Sequence, residues 1–222
     1  MAISGSRSRE VLATVVLVHG IGAHPVVMLP FQWALQRAGF RVFNYGYNSL
    51  RSINRAAERL RARLATWSQQ APEQELHIVA HSMGCIVSRM AVAWDRPSNF
   101  SRMVMLTPPS KGTPTANRIG PWLKWLAPSI QELRTEPTSL VNQLPPPDYP
   151  FMLVKASWDF IIPPMYAELT GAAVNQTITG VHSAVLVHRP TMHHVVQFLK
   201  GGSNSEATTS LATRSTPSRA QS

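Results

Sequence analysis

An open, mostly parallel sheet of about six strands with helices on both faces is the fold this sequence predicts, and three observations predict it. Short apolar or β-branched runs at 12–18, 41–45, 76–80, 102–106, 151–156 and 174–179 alternate with helix-like segments at 28–38, 52–68, 83–94, 163–169 and 190–199. The runs are nearly continuous in apolar residues, as in strands covered on both sides. A length of 222 residues suits one domain, and 44% apolar against 14% charged residues supplies a core.

Residues 1–10 (MAISGSRSRE) are polar and expected to be flexible, so the folded domain is assigned to 11–200. Arg7 and Arg9 ahead of the first apolar run imitate a secretion signal, but the run is short and ends at His19. It reads as a buried strand. No apolar run approaches the ~18 residues of a membrane span. A cytoplasmic location is therefore the expectation, with secretion the alternative. Gly39 suits the stop of the first helix, and Pro163 and Pro190 suit first-turn positions. In the 52–68 helix, Arg51, Arg55, Arg59 and Arg63 draw one basic stripe, opposite Ile53, Ala57, Leu60, Leu64 and Trp67. Residues 108–150 break the rhythm: they are rich in proline and include the amphipathic Pro121-Trp122-Leu123-Lys124-Trp125-Leu126. So long an interruption between strands reads as a lid-like or cleft-lining excursion. Residues 201–222 are polar and expected to form a disordered tail.

The net charge of +10 comes from 21 Lys and Arg against 11 Asp and Glu. The basic helix stripe is a solvated surface, and no basic-aromatic motif accompanies it, so no nucleic-acid partner is expected. The single cysteine, Cys85, excludes an internal disulfide and is expected to be buried.

The chemistry concentrates at Leu76-His77-Ile78-Val79-Ala80-His81-Ser82-Met83-Gly84. An apolar strand runs into a serine with small residues two before and two after it, and a helix follows. A nucleophile on so sharp a strand-to-helix turn brings neighbouring chain close, which requires small residues at 80 and 84. The turn lifts Ser82 above the carboxyl edge of the sheet, beside the amides of a helix amino terminus. The plainer alternative is a helix N-cap serine. A second motif, Val18-His19-Gly20-Ile21-Gly22, ends the first strand. A glycine turn there can present the Ile21 amide, with that of Met83, to the oxygen of a tetrahedral intermediate. His19 is expected to be structural.

A serine nucleophile needs a base. Among His182, His188, His193 and His194, His182 follows the last strand directly and falls at the edge where Ser82 emerges. The base needs a carboxylate, and the chain has three aspartates. Asp95 follows the nucleophile helix, Asp148 sits in a proline-rich turn, and Asp159 follows the 151–156 strand at the same edge. Asp159 is the choice by position. The histidines lack companion ligands, so no metal is expected.

The order Ser82, Asp159, His182, with His19-Gly20 upstream, resembles the α/β-hydrolase superfamily, and within it the small bacterial lipases and esterases. These share a Val-His-Gly-Ile-Gly turn and an Ala-His-Ser-Met-Gly elbow. The resemblance spans residues 11–200 and implies a minimal α/β-hydrolase fold, a triad of Ser82, Asp159 and His182, and an oxyanion hole from Ile21 and Met83. It implies a serine esterase or lipase that needs no cofactor and takes a small-molecule or lipid ester, with transient contact to a lipid surface. Met28, Leu29, Trp122 and Trp125 are the expected substrate-binding residues, favouring an acyl or aryl group. An acyltransferase or thioesterase on the same triad is the alternative, and a non-catalytic binder of the same fold a more distant one. The sequence leaves the oligomeric state open.

Overall fold

The computed structural model describes residues 11–123 and 125–201. The expectations for residues 1–10 and 202–222 lie outside the described residues. One sheet of six parallel strands runs through the domain in the order β2-β1-β3-β4-β5-β6. The strands are β1 (Thr14–Val18), β2 (Arg41–Tyr45), β3 (Leu76–His81), β4 (Phe100–Leu106), β5 (Phe151–Ala156) and β6 (Val174–Ile178). The helices are α1 (Leu29–Arg37), α2 (Ile53–Gln70), α3 (Met83–Trp94), α4 (Pro114–Leu123), α5 (Pro128–Glu132), α6 (Pro164–Ala167) and α7 (Arg189–Leu199). A 3-10 turn at Pro25–Met28 precedes α1.

Burial on both faces explains the apolar strand runs: every residue of β1, β3 and β5 is buried. On one face α1 and α7 lay Phe31, Leu35, Val195 and Phe198 against Val15, Leu17, Val79, Val104 and Val154. On the other, α2 and α3 lay Ile53, Leu60, Leu64 and Ile86 against Val16, Val18, Ile78 and Met103. The arginine stripe faces solvent at Arg51, just ahead of α2, and at Arg55, Arg59 and Arg63 within it. Gly39 ends α1 at φ +100, a left-handed conformation that glycine adopts without steric cost.

The expected helix at 163–169 shortens to the four residues of α6. Glu168 leaves helical geometry at ψ 134, and its carboxylate pairs with Lys155 on β5. Pro163 flanks that helix in an extended conformation, and Pro164 takes the first position instead.

The strand order positions the site. β1 lies between β2 and β3, with Val18 level with Tyr45 on one side and Ala80 on the other. The chain leaves β1 toward β2 and returns beyond β1 to β3, so the loops after β1 and β3 part at their carboxyl ends. Open α/β sheets form their crevice at such a switch point. Among the described residues, no helix is long and apolar enough to cross a membrane.

Candidate active site

The turn from β3 into α3 is sharp. Ser82 sits between them at φ 54, ψ −128, a conformation costing a non-glycine residue on the order of 1–3 kcal/mol. Surrounding backbone holds it there: the Ser82 amide donates to the Leu106 carbonyl at 2.8 Å, and the Ser82 carbonyl accepts from the Cys85 amide at 2.9 Å. The small neighbours have a steric reason. A Cβ on Gly84 would lie 2.5 Å from the His19 carbonyl oxygen and 2.6 Å from that of Val18, and one on Gly20 would lie 2.9 Å from the Ser82 Cβ. The elbow and the loop after β1 are therefore in backbone contact.

Two side chains from the segment after β2 brace that loop. The Tyr47 hydroxyl donates to the His19 carbonyl at 2.8 Å, and the Gly22 amide donates to the Ser49 Oγ at 2.9 Å. The His19 ring stacks on Tyr47 with centroids 4.5 Å apart, which gives it a structural place. Among the described residues, neither the Ile21 nor the Met83 amide donates to another group of the chain.

Across the crevice, Asp159 follows β5 and His182 follows β6. The His182 Nδ1–H donates to Asp159 Oδ2 at 2.6 Å. The other carboxylate oxygen, Oδ1, accepts from the amides of Ile161 at 3.0 Å and Ile162 at 2.7 Å. Both side chains are buried, so the pair sits in low dielectric with every carboxylate oxygen satisfied. The bond at Nδ1 leaves Nε2 as the acceptor of the neutral ring. A cavity of about 190 Å³ brings Ser82 and His182 together with Gly20, Ile21, Val27, His81, Ile161 and Leu186.

The comparisons with known proteins agree with this architecture. A family described as serine aminopeptidase, S33, matches residues 9–148. The chain belongs to that family. Its fold is that of the α/β hydrolases, as in lipase B of Aspergillus fumigatus, with a TM-score of 0.71 at 17% identity. That match covers 91% of this chain and 57% of lipase B, so the chain spans little more than half the length of that relative. The mature lipase BlEst2 of Bacillus licheniformis matches with a TM-score of 0.67 at 13% identity, covering 83% of this chain and 91% of the lipase. An esterase of Pyrococcus furiosus matches at 0.65 and 16% identity, covering 88% and 84%. No curated protein sequence matches.

In this α/β hydrolase the remaining candidates fall elsewhere. His188 caps α7 by accepting from the Thr191 amide at 3.3 Å, and His193 and His194 lie within α7. Asp95 pairs with Arg61 at 3.5 Å, and Asp148 pairs with Arg96 on the surface. Cys85 is buried, its Sγ 3.2 Å from the Ala80 carbonyl oxygen, and burial holds its thiol well above the usual range.

None of the four expected substrate residues lines the cavity at Ser82. Met28 is fully buried in the core under α1, and Leu29 begins α1 just behind it. Trp122, in the last turn of α4, and Trp125, just past it, stand 86% and 87% exposed. No residue of 108–150 lines the cavity either. Its apolar wall comes instead from Val27, Ile161 and Leu186, which carry no motif that sequence reading would single out. His81 was visible only as the elbow residue before Ser82. Its ring lies 4.9 Å from that of His182, and burial, then the neighbouring His182, lowers its pKa to about 3. It therefore stays neutral beside His182.

Proposed function

We propose that the protein is a serine hydrolase of carboxylic esters that works through an acyl-enzyme on Ser82. The observation that carries the reading is the buried 2.6 Å bond from His182 to Asp159, opening on the same cavity as a strained serine at a helix amino terminus. In this reading His182 Nε2 takes the Ser82 proton as Oγ attacks the ester carbonyl. Asp159 holds the ring in the required tautomer and stabilises the imidazolium. The developing oxyanion is met by the amides of Ile21 and Met83, held 19–22 against 82–84 by the glycine contacts described above. Collapse returns the proton from His182 to the leaving alcohol. Water then repeats the sequence on the acyl-enzyme and releases the acid.

The apolar wall of Val27, Ile161 and Leu186 suits an acyl or aryl group. The family description names an aminopeptidase, which must hold a substrate ammonium. No carboxylate lines this cavity, and both oxygens of Asp159 are already engaged, which favours an uncharged ester over a peptide amino terminus. A fluorophosphonate probe tests the assignment. Stoichiometric labelling of the native chain and none of Ser82→Ala is expected, and labelling that survives the substitution would move the nucleophile elsewhere. Release of acid from nitrophenyl esters without an alcohol acceptor is the matching readout for hydrolysis.

A further inference from the structure

A larger cavity than the one at Ser82 lies on the side of the domain. It is a groove of about 830 Å³ between α1 and α7, walled by Trp33, Arg37, Val187, Arg189, Met192 and His193 among others. The groove and the catalytic cavity adjoin along the chain: Leu186 lines the cavity and Val187 the groove, while Val27 and Pro30 do the same on the other side. Both helices start at the rim that carries Ser82 and run away from it. Seven residues separate Pro30 from Arg37 and Arg189 from Val196, so the groove extends about 10 Å down the side of the domain at ~1.5 Å per residue.

Its chemistry is one-sided. Trp33 and Val187 are 57% and 65% exposed on its walls, an apolar surface left to solvent. Neither α1 nor α7 contains an acidic residue, and no carboxylate lines the groove. Among the described residues, Arg37 and Arg189 pair with no carboxylate. Arg189 is also the first residue of α7, where the helix dipole disfavours a cation. Two unpaired guanidinium groups over an apolar floor complement a long apolar chain with an anionic end.

We propose that this groove binds the distal part of the substrate, an apolar chain ending in a carboxylate or similar anion, whose ester lies at Ser82. The inference rests on the ester-hydrolase reading for its link to chemistry, but the groove itself is testable without turnover. In the Ser82→Ala protein, calorimetry should detect saturable binding of sodium decanoate below its micelle concentration, stronger than that of decanol. Each exposed charge pair is worth up to about a factor of 5, so the Arg37→Gln/Arg189→Gln double variant should weaken decanoate roughly 5- to 20-fold and leave decanol alone. Raising salt toward 1 M, where the Debye length falls to ~3 Å, should do the same. Decanoate binding equal to that of decanol, or unaffected by the double variant, overturns the groove. So does a native dimer dispersed by those substitutions, which would make a second copy the occupant.

Kinetics then separate the two claims. The nitrophenyl hemiester of decanedioic acid is compared with nitrophenyl decanoate, and 10-acetoxydecanoate with decyl acetate, as ratios of kcat/KM within each protein. A preference for the charged member of either pair, lost in the double variant, is expected. Turnover of neutral esters with no charge preference refutes the groove as a substrate site and leaves the ester reading standing. Decanoate binding with no turnover of any ester refutes the ester reading and leaves an anion-binding groove.

Discussion

Replacing Gly84 by alanine tests the contact on which the site is built. The residue lies in α3 with ordinary helical geometry, so the substitution adds no backbone strain and gains about 1 kcal/mol of helix propensity. Against that gain, the new Cβ would stand 2.5 Å from the His19 carbonyl oxygen, and the obstructing atoms belong to backbone that has no flexible side chain to move aside. Relief requires the loop after β1 to retreat by about 0.9 Å, and overpacking of this kind costs about 1–3 kcal/mol. Net stability should therefore fall by only about 0–2 kcal/mol, and the protein should fold. Activity should respond far more, because the same retreat carries the Ile21 amide away from the oxyanion position. A misplacement near 1 Å, or loss of one oxyanion donor, lowers turnover by about 100-fold. The loss should appear in kcat with KM little changed, since the amide acts on the transition state. Nitrophenyl acetate kinetics and thermal melts on the same preparations measure both. The control is Gly22→Ala: nothing lies within 4 Å of its Cβ, but φ +64 makes it cost about 1–2 kcal/mol of stability without displacing Ile21. A folded Gly84→Ala protein with near-native kcat/KM would refute the placement of the oxyanion hole in this loop.

Other outcomes follow from the same geometry. Asp159→Asn preserves shape but no longer fixes the tautomer of His182; kcat should drop by about 1,000- to 10,000-fold while fluorophosphonate labelling slows in proportion, and a mild effect would reassign the carboxylate. Ser49→Ala leaves the Gly22 amide without its acceptor, which should lower Tm by about 2–4 °C and reduce kcat several-fold; unchanged kcat would make Ser49 structural alone. Acid should destabilise the fold. Burial lowers the pKa of His77 to about 4 and that of His81 to about 3, so below the usual 6.5 the unfolded chain takes up protons that the folded chain refuses. Stability is then lost as pH falls from about 6.5 toward 4, on the order of 3 kcal/mol from His77 alone, and chemical denaturation at pH 7 and 4.5 measures it; a flat profile would contradict the buried neutral rings. Cys85 should resist a disulfide reagent in the native state and react on unfolding, whereas rapid native labelling would mean that α3 opens.

The alternation of apolar runs with amphipathic segments carries the architecture because burial on two faces leaves no polar register to confuse it. The stretches 41–45, 83–94 and 151–156 match their elements residue for residue. The elbow was legible for a related reason: a serine between a buried strand and an apolar helix has few conformations to choose from. Apolarity gives a poorer account of where a side chain points. Met28 and Leu29 have the composition of a substrate wall, yet the 3-10 turn before α1 rotates Met28 into the core and leaves Val27 at the cavity. Trp122 and Trp125 mark an apolar stretch around the end of α4, but both are exposed and neither lines the cavity at Ser82. The amides that hold Asp159 are equally invisible, since any residue type at 161 and 162 supplies the same N–H.

The long excursion shows the same limit from another side. Its length and proline content suggest a lid-like or cleft-lining excursion, and its hydrogen bonds tie it to the scaffold behind the site. Glu132 at the end of α5 accepts from the Ser52 hydroxyl at 2.8 Å and from the Ile53 amide at 2.5 Å, placing a carboxylate at the amino terminus of α2. One turn earlier, the Ser129 hydroxyl donates to the Ser49 carbonyl at 2.9 Å. Ser49 in turn accepts from Gly22, in the loop that carries Ile21. At its other side, Thr113 and Thr115 both donate to the carbonyl of Ile161, whose amide holds Asp159. The excursion therefore reaches each half of the crevice through one intervening residue. Movement of a segment so attached would disturb both the loop that carries Ile21 and the amide that holds Asp159, which gives it the role of a buttress behind the cavity.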